Sequence, residues 1–553
     1  MEEMMPQERK TPAKNENAPV PNRLVLFILF GLILGWGVDF LFWKRQPGIS
    51  IAVWLLLPLI LLLILTKSEK IRIHKASFGL MGLILLAIYF YTIRQEPLST
   101  FANTMAALFG LVLLAATYKN GNWLYYRLFD YVIPMLNTVF GGLLRPFTAI
   151  AQRLQQTKVE NERPIGKAIF AVIRGLIITI PILLVLGSLL ASADTVFKGV
   201  LGDLLDWFVI DDLGEYIFRF GYVLFFSLIF TGVFFQALYP QWQAKRPDPS
   251  KPVVKPFLGW IETIMIFSGI NAMFLLFVVI QFNYLFGGER NIHQSGFNYS
   301  TYARQGFGEL VAVAILSLLI YLVLAGVSKR ESEARRHTFS GLSVLLIVQV
   351  LVMLVSSFKR LGLYEAAYGF TRLRMYTHVF IICLAVLLVV VIALEVLNIR
   401  GRFALAFLGF CFLFSFALGA VNVDAQIARL NVLHSATIRH TENGPVLDFE
   451  YLDSLSNDAT PQLIKMYANP DLPDNTHKKI GAALMCKLYQ AEMKPEPNWR
   501  SYSVANAVAK RQLLAIRDSL YDVYSVEEER GGVTVRSGTD EWVCDSYWEL
   551  YMD

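Results

Sequence analysis

The chain has 553 residues, of which 55% are hydrophobic and only 17% charged, and its mean hydropathy of +0.47 excludes an ordinary soluble globular protein. The net charge of +6 is spread over short loops instead of forming one basic patch with interleaved aromatics, so no nucleic-acid partner is expected. Cys383 and Cys411 lie in apolar runs, and Cys486 and Cys544 lie in the tail. None belongs to a CxxC or has a histidine at ligand spacing, so neither a metal site nor a cofactor is expected.

Residues 1–23 are polar and carry four prolines, which predicts a disordered tail. Leu24 to Trp43 then supplies about the 20 apolar residues a bilayer requires, with no small-x-small cleavage site after it, and reads as an uncleaved first span. Further spans are predicted at 49–65, 76–93, 100–116, 169–190, 218–238, 260–286, 307–327, 341–358, 377–397 and 403–421. The expected fold is an all-α polytopic bundle of about eleven helices, because only helices or closed barrels satisfy their backbones in lipid.

Basic residues set the orientation. With the N-terminus cytoplasmic, the inner segments hold 25 lysines and arginines against about 11 on the other side. An odd span count then makes residues 422–553 extracytoplasmic. Two segments stand outside this scheme. "LYYRLFDYVIPMLNTVFGGLL" (124–144) carries Arg127, Asp130, Pro134 and Asn137 and reads as an interfacial or re-entrant helix in preference to a span. "TVFKGVLGDLLDWFVIDDLGEY" (195–216) gathers its apolar residues on one helical face and should lie along the outer surface.

The domain organisation expected is a tail (1–23), a transmembrane bundle (24–421) and an extracytoplasmic, mostly helical domain (422–553). In the last of these, Thr460 is placed to cap a helix with Pro461 at its first position, and "GGVTVRSG" permits at most a short strand or hairpin. Cys486 and Cys544 could be bridged or could be buried free thiols.

Three outer segments concentrate polar and aromatic chemistry. The connector "LYEAAYGFTRLRMYTH" (363–378) sets Tyr364, Tyr368, Arg372 and Tyr376 four residues apart, on one helical face if Gly369 does not break it, and adds Glu365, Arg374 and His378. The loop before the eighth span brings Arg304 and Glu309. "NVDAQIARLN" brings Asn422, Gln426 and Arg429 on one face and Asp424 and Asn431 on another. Together Arg304, Glu309, Tyr364, Glu365, Tyr368, Arg372, Arg374, His378, Asp424 and Arg429 form a candidate outer site in which Glu365 should find an arginine, and Arg372 or Arg374 a carboxylate. An interfacial belt of tyrosine and arginine is the competing reading.

The series "QFNYLFGG", "YARQGFGELVAVA", "LYEAAYGFTRLRMYTH", "NVDAQIARLN", "YLDSLSNDATPQL" and "NWRSYSVANAVAKRQL" resembles a bacterial integral-membrane family designated domain of unknown function 4153 / 4173, over roughly residues 165–515. The resemblance implies a multi-pass bacterial membrane protein with a C-terminal extramembrane portion, and implies no activity.

Ionisable residues near spans are Asp39, Arg174, Arg219, Glu262, Glu309, His378 and Glu395, and most sit close enough to span ends to cap or snorkel. There is no HExxH, GxSxG or Walker loop, and nothing beside His378 supplies a nucleophile. The sequence therefore favours an envelope scaffold or regulator whose partners are the lipid bilayer and an envelope protein. A small-solute transporter or channel stands second, and an enzyme acting on a lipid-linked substrate third.

Overall fold

The computed structural model describes residues 21–158, 213–240, 256–285, 307–437, 447–495, 498–529 and 532–544, with four isolated positions between 179 and 199. The expected span 169–190, nearly all of the surface helix from Thr195, the tail to residue 20 and the loop carrying Arg304 lie outside the described residues.

The chain is an all-α polytopic membrane protein. Among the described residues ten helices are long and apolar enough to cross a membrane. They are α1 (Leu24–Phe42), α2 (Ile49–Ser68), α3 (Lys75–Ile93), α4 (Pro97–Thr117), α6 (Leu213–Leu238), α7 (Trp260–Leu285), α8 (Phe307–Val327), α9 (Glu333–Tyr368), α10 (Arg372–Val396) and α11 (Phe403–Val421). Helix α5 (Leu128–Lys158) is not among the ten. It is amphipathic along 31 residues, as Asp130 in its first turn and polar residues toward its end require.

The helices group into two compact units. In the first (1–43, 60–72 and 136–242), α1 lies along α6 because Gly31 and Gly35, four residues apart, leave no room for a Cβ. One added at Gly31 would sit 2.7 Å from the Ser227 carbonyl oxygen, and one at Gly35 would sit 2.5 Å from that of Val223. Phe27 stacks on Phe235 at 4.9 Å. Asp39 accepts hydrogen bonds from Arg219 at 2.8 and 2.6 Å and from the Tyr222 hydroxyl, so two of the ionisable residues flagged in sequence neutralise each other.

In the second unit (44–59, 73–135 and 243–553), α9 packs on α7, α8 and α10, with Phe267 edge-on to Phe339 at 5.0 Å. Helices α3, α4 and α11 form a neighbouring group, tied where the Asn103 amide donates to the Ser415 carbonyl at 3.1 Å. Asn422, at φ 51°, separates α11 from α12 (Val423–Thr437). Five more helices follow: α13 (Phe449–Asp453), α14 (Thr460–Tyr467), α15 (Asp474–Met493), α16 (Val504–Ala515) and α17 (Arg517–Tyr521). One apolar core runs from Met375, Val379 and Leu418 at the ends of α10 and α11 into Ile427, Leu463 and Leu484.

Two local expectations are corrected. Ala459 is the N-cap of α14 and Thr460 is its first residue, wholly buried, because the short 3-10 turn at Asn457–Ala459 winds directly into the helix. In place of a lone strand or hairpin there is a three-stranded antiparallel meander, β1 (Ser525–Glu529), β2 (Gly532–Ser537) and β3 (Asp540–Cys544). Val533 and Val535 of β2 face the core, and a disulfide from Cys544 to Cys486 of α15 holds β3, with the Cα atoms 5.7 Å apart.

Candidate functional site

The connector 363–378 is not one helix. Gly369 takes φ 75°, its N–H bonds back to the Glu365 carbonyl, and α9 ends at Tyr368. Thr371 is then the N-cap of α10. The four residues spaced by four are therefore divided. Tyr364 and Tyr368 pack together at 5.0 Å on α9, while Arg372 and Tyr376 stand on the first turns of α10.

The break aims each half at a different partner. Arg372 donates from Nε and Nη2 to the two carboxylate oxygens of Asp424, at 2.8 and 2.7 Å, and from Nη2 to the Ser454 carbonyl at 3.1 Å. Asp424 is fully buried and also accepts from the Ser456 backbone N–H at 2.7 Å, so its charge is met by a bidentate fork and one main-chain donor. The backbone N–H of Arg372 donates to the Tyr451 hydroxyl at 2.8 Å. Two turns on, Asn431 accepts from the Phe370 N–H at 2.6 Å and donates to its carbonyl at 2.9 Å. Asp424 and Asn431 are seven residues apart, so both fall on the side of α12 that meets the connector.

Glu365 finds His378 at 3.1 Å, not an arginine. Both arginines of the connector are already committed: Arg374 lies over the Tyr364 ring at 4.1 Å and donates to the Tyr368 carbonyl at 3.3 Å and to that of Gly369. Glu309 is exposed in the first turn of α8, and Arg429 is exposed on α12; neither joins the contacts above. Arg304 lies outside the described residues.

A second fastening was missed in sequence. Glu96 caps α4 by accepting from the Leu98 and Ser99 N–H groups at 2.9 and 2.7 Å, and it also receives the Tyr376 hydroxyl. Asp458 accepts from the Gln95 and Glu96 N–H groups at 2.7 and 3.0 Å, and burial raises its pKa above the ordinary carboxylate value. The signal was present in "EPLS", where an acid precedes a proline at the start of an apolar run, as helix N-termini prefer. A third fastening joins the start of α2 to the tail. The Ile49 N–H donates to the Tyr502 carbonyl at 2.8 Å, and the Ser501 hydroxyl donates to the Gln46 carbonyl at 2.8 Å. Gly48 is required there, since a Cβ would stand 2.5 Å from the Ser501 backbone.

Beneath these contacts Lys487 of α15 is buried and donates to the Asp453 and Leu455 carbonyls at 3.0 and 2.6 Å, and its desolvation lowers its pKa. The arrangement is an internal polar clamp in which Arg372, Asp424, Glu365, His378, Glu96 and Asp458 are each engaged with another part of the chain. Among the described residues no group of three or more His, Cys, Asp or Glu side chains could hold a metal ion.

One family model matches the sequence, over residues 80–466, and carries the description Domain of unknown function (DUF4153). It begins within α3, well before the stretch that the sequence motifs covered, and ends within α14. No curated protein and no solved structure matches the chain.

Proposed function

Because the chain belongs to the DUF4153 family, whose description assigns no activity, we propose a role from the clamp itself: a scaffold or regulator of the bacterial cell envelope. In this reading the protein sits in the inner membrane and holds its C-terminal portion on the extracytoplasmic side for an envelope protein partner. The observation that carries it is the bidentate Arg372–Asp424 pair, with Asp424 also bound to Ser456. A polar connector consumed by holding residues 422–553 against the span ends is suited to fixing a platform and leaves few charges for turning over a substrate. The outward orientation is supported by the excess of basic residues on the opposite loops and by the Cys486–Cys544 disulfide, which belongs in an oxidising compartment.

A transporter remains the second reading, favoured by amides at mid-span. Asn271 and Gln349 are buried between α7 and α9 and joined by a bond from the Gln349 amide to the Asn271 carbonyl at 3.2 Å. Interhelical hydrogen bonds of this kind also serve as packing. The test is paired. A strain lacking the protein, complemented with Asp424→Ala, should show the envelope defects of the full deletion, such as detergent sensitivity, while proteoliposomes of the wild-type chain stay tight to protons and small ions. Flux through the wild-type protein would overturn the scaffold reading in favour of transport.

A further inference from the structure

A cavity of about 450 Å³ lies where the ends of α2, α3 and α4 meet residues 502–504 and Ser456. That volume is within the range of small-molecule sites. Its lining is of two chemical kinds. Arg94, Gln95 and Ser503 supply polar groups, and Ile51, Phe101 and Met105 supply apolar ones.

Among the described residues that line the cavity, Arg94 is the one cation and none is a carboxylate. Its Nε donates to the Gly419 carbonyl at 2.6 Å, no salt bridge joins it to a carboxylate among the described residues, and its charge acts through space on the buried Asp458 carboxylate. The carboxylates nearest in sequence and space, Glu96 and Asp458, are buried and turned onto backbone N–H groups. Arg94 lines the cavity and keeps two Nη groups that the Gly419 bond does not use, a donor set that suits a phosphate.

The apolar lining continues along α4. Phe101 and Met105 are 61% and 42% exposed, and Phe109 one turn further is 37% exposed. Spaced by four residues on α4, they form a stripe descending about 12 Å into a membrane-spanning helix. A pocket with one cation and no carboxylate in its described lining, continued by an apolar stripe along a span, matches the form of an anionic amphiphile.

We propose that this cavity binds the phosphate headgroup of an anionic membrane lipid, with the phosphate on Arg94 and an acyl chain along Phe101 and Met105. The site is independent of the scaffold reading, since neither Arg372 nor Asp424 takes part. The lipid would sit between α4 and the tail segment 502–504, and so would connect bilayer composition to the seating of the C-terminal portion.

The test is native mass spectrometry of the full chain after delipidation, titrated with phosphatidylglycerol or phosphatidylcholine. Wild type should retain phosphatidylglycerol at least about tenfold more tightly, a difference of about 1.4 kcal/mol. Arg94→Gln should abolish that preference and Arg94→Lys should restore part of it. Because Arg94→Gln also removes the bond to Gly419, Thr104→Trp provides a second route. It fills the cavity from α4, and should remove the lipid adduct while leaving the melting temperature unchanged. Equal adducts in wild type, Arg94→Gln and Thr104→Trp, or no preference of the wild type between the two lipids, would overturn the proposal. Soluble glycerol phosphate bound as tightly as the lipid would also overturn it, assigning the cavity to a free phosphate compound.

Discussion

Arg372 and Asp424 face each other across the junction between α10 and α12, with both guanidinium–carboxylate bonds shorter than 3 Å and the acid wholly buried. The side chain of Arg372 is 27% exposed, so the two partners are not equivalent. Arg372→Ala strands a buried carboxylate and should cost about 3 kcal/mol or more, well above the ~0–1 kcal/mol of an exposed pair. Asp424→Ala leaves an arginine that can reach water and should cost less, although Ser456 loses its acceptor. The double variant Arg372→Met with Asp424→Leu should recover most of the loss. Chemical denaturation followed by tryptophan fluorescence measures all three, and a cost below ~1 kcal/mol for Arg372→Ala would reduce the pair to surface decoration.

The disulfide offers an independent check on the C-terminal portion. It closes a loop over a sequence separation of 58 and pins β3 to α15. Its loss through Cys486→Ser should cost about 2–5 kcal/mol and release the meander to proteolysis before the rest of the C-terminal portion. Peptide mass mapping under alkylation, with and without reductant, reads the bridge directly. Full alkylation of both cysteines without reductant in the native, membrane-extracted protein would contradict it.

Much of this was legible in the sequence, and the parts that were not share a cause. The spans were visible because a continuous apolar run of about 20 residues has no other use, and the one-sidedness of α12 followed from the spacing of Asp424 and Asn431. What sequence periodicity could not give was the break at Gly369, since a lone glycine costs a helix only about 1 kcal/mol and is often tolerated. That break decides everything downstream, because it turns Arg372 toward Asp424 and leaves Glu365 to His378. The contribution of Glu96 and Asp458 was hidden for another reason. They are separated by 362 residues, and no local pattern links positions so far apart. The meander was underestimated because Ser525–Glu529 is acidic and lacks the apolar alternation of an isolated strand. It is held by its pairing to β2.

Asp458 gives the chain a titration signature. Its native pKa is raised by burial above the ordinary 3.8, so between that value and its native pKa the folded state keeps a proton that the unfolded state has lost. Unfolding free energy from this group therefore falls as pH rises through that window and is flat above it. Asp458→Asn retains an acceptor for the Gln95 and Glu96 N–H groups and removes the titration. The stability of wild type minus that of Asp458→Asn should decline as pH rises from 3.8 and then level off. A difference that rises with pH over the same interval would mean that the two backbone donors outweigh burial.

The orientation is the last expectation to test, and it follows from charge, span parity and the disulfide taken together. Glu331 and Asn475 are both exposed in the folded chain, the first in the connection between α8 and α9 and the second in the first turn of α15. Glu331 is preferable to its neighbour Ser332, whose side chain caps α9 by accepting from the Arg335 N–H. In a background with Cys383 and Cys411 replaced by serine, a cysteine at Glu331 should be shielded from an impermeant thiol reagent in intact cells and labelled only after permeabilisation. A cysteine at Asn475 should be labelled at once. Between the two positions lie α9, α10 and α11, so an odd number of crossings must place them on opposite faces whatever the N-terminal half does. Labelling of both positions, or of neither, would mean that one of those three helices does not cross. Labelling of Glu331 alone would invert the protein in the membrane, leaving the Cys486–Cys544 bridge in a reducing compartment, where such bonds are rarely maintained.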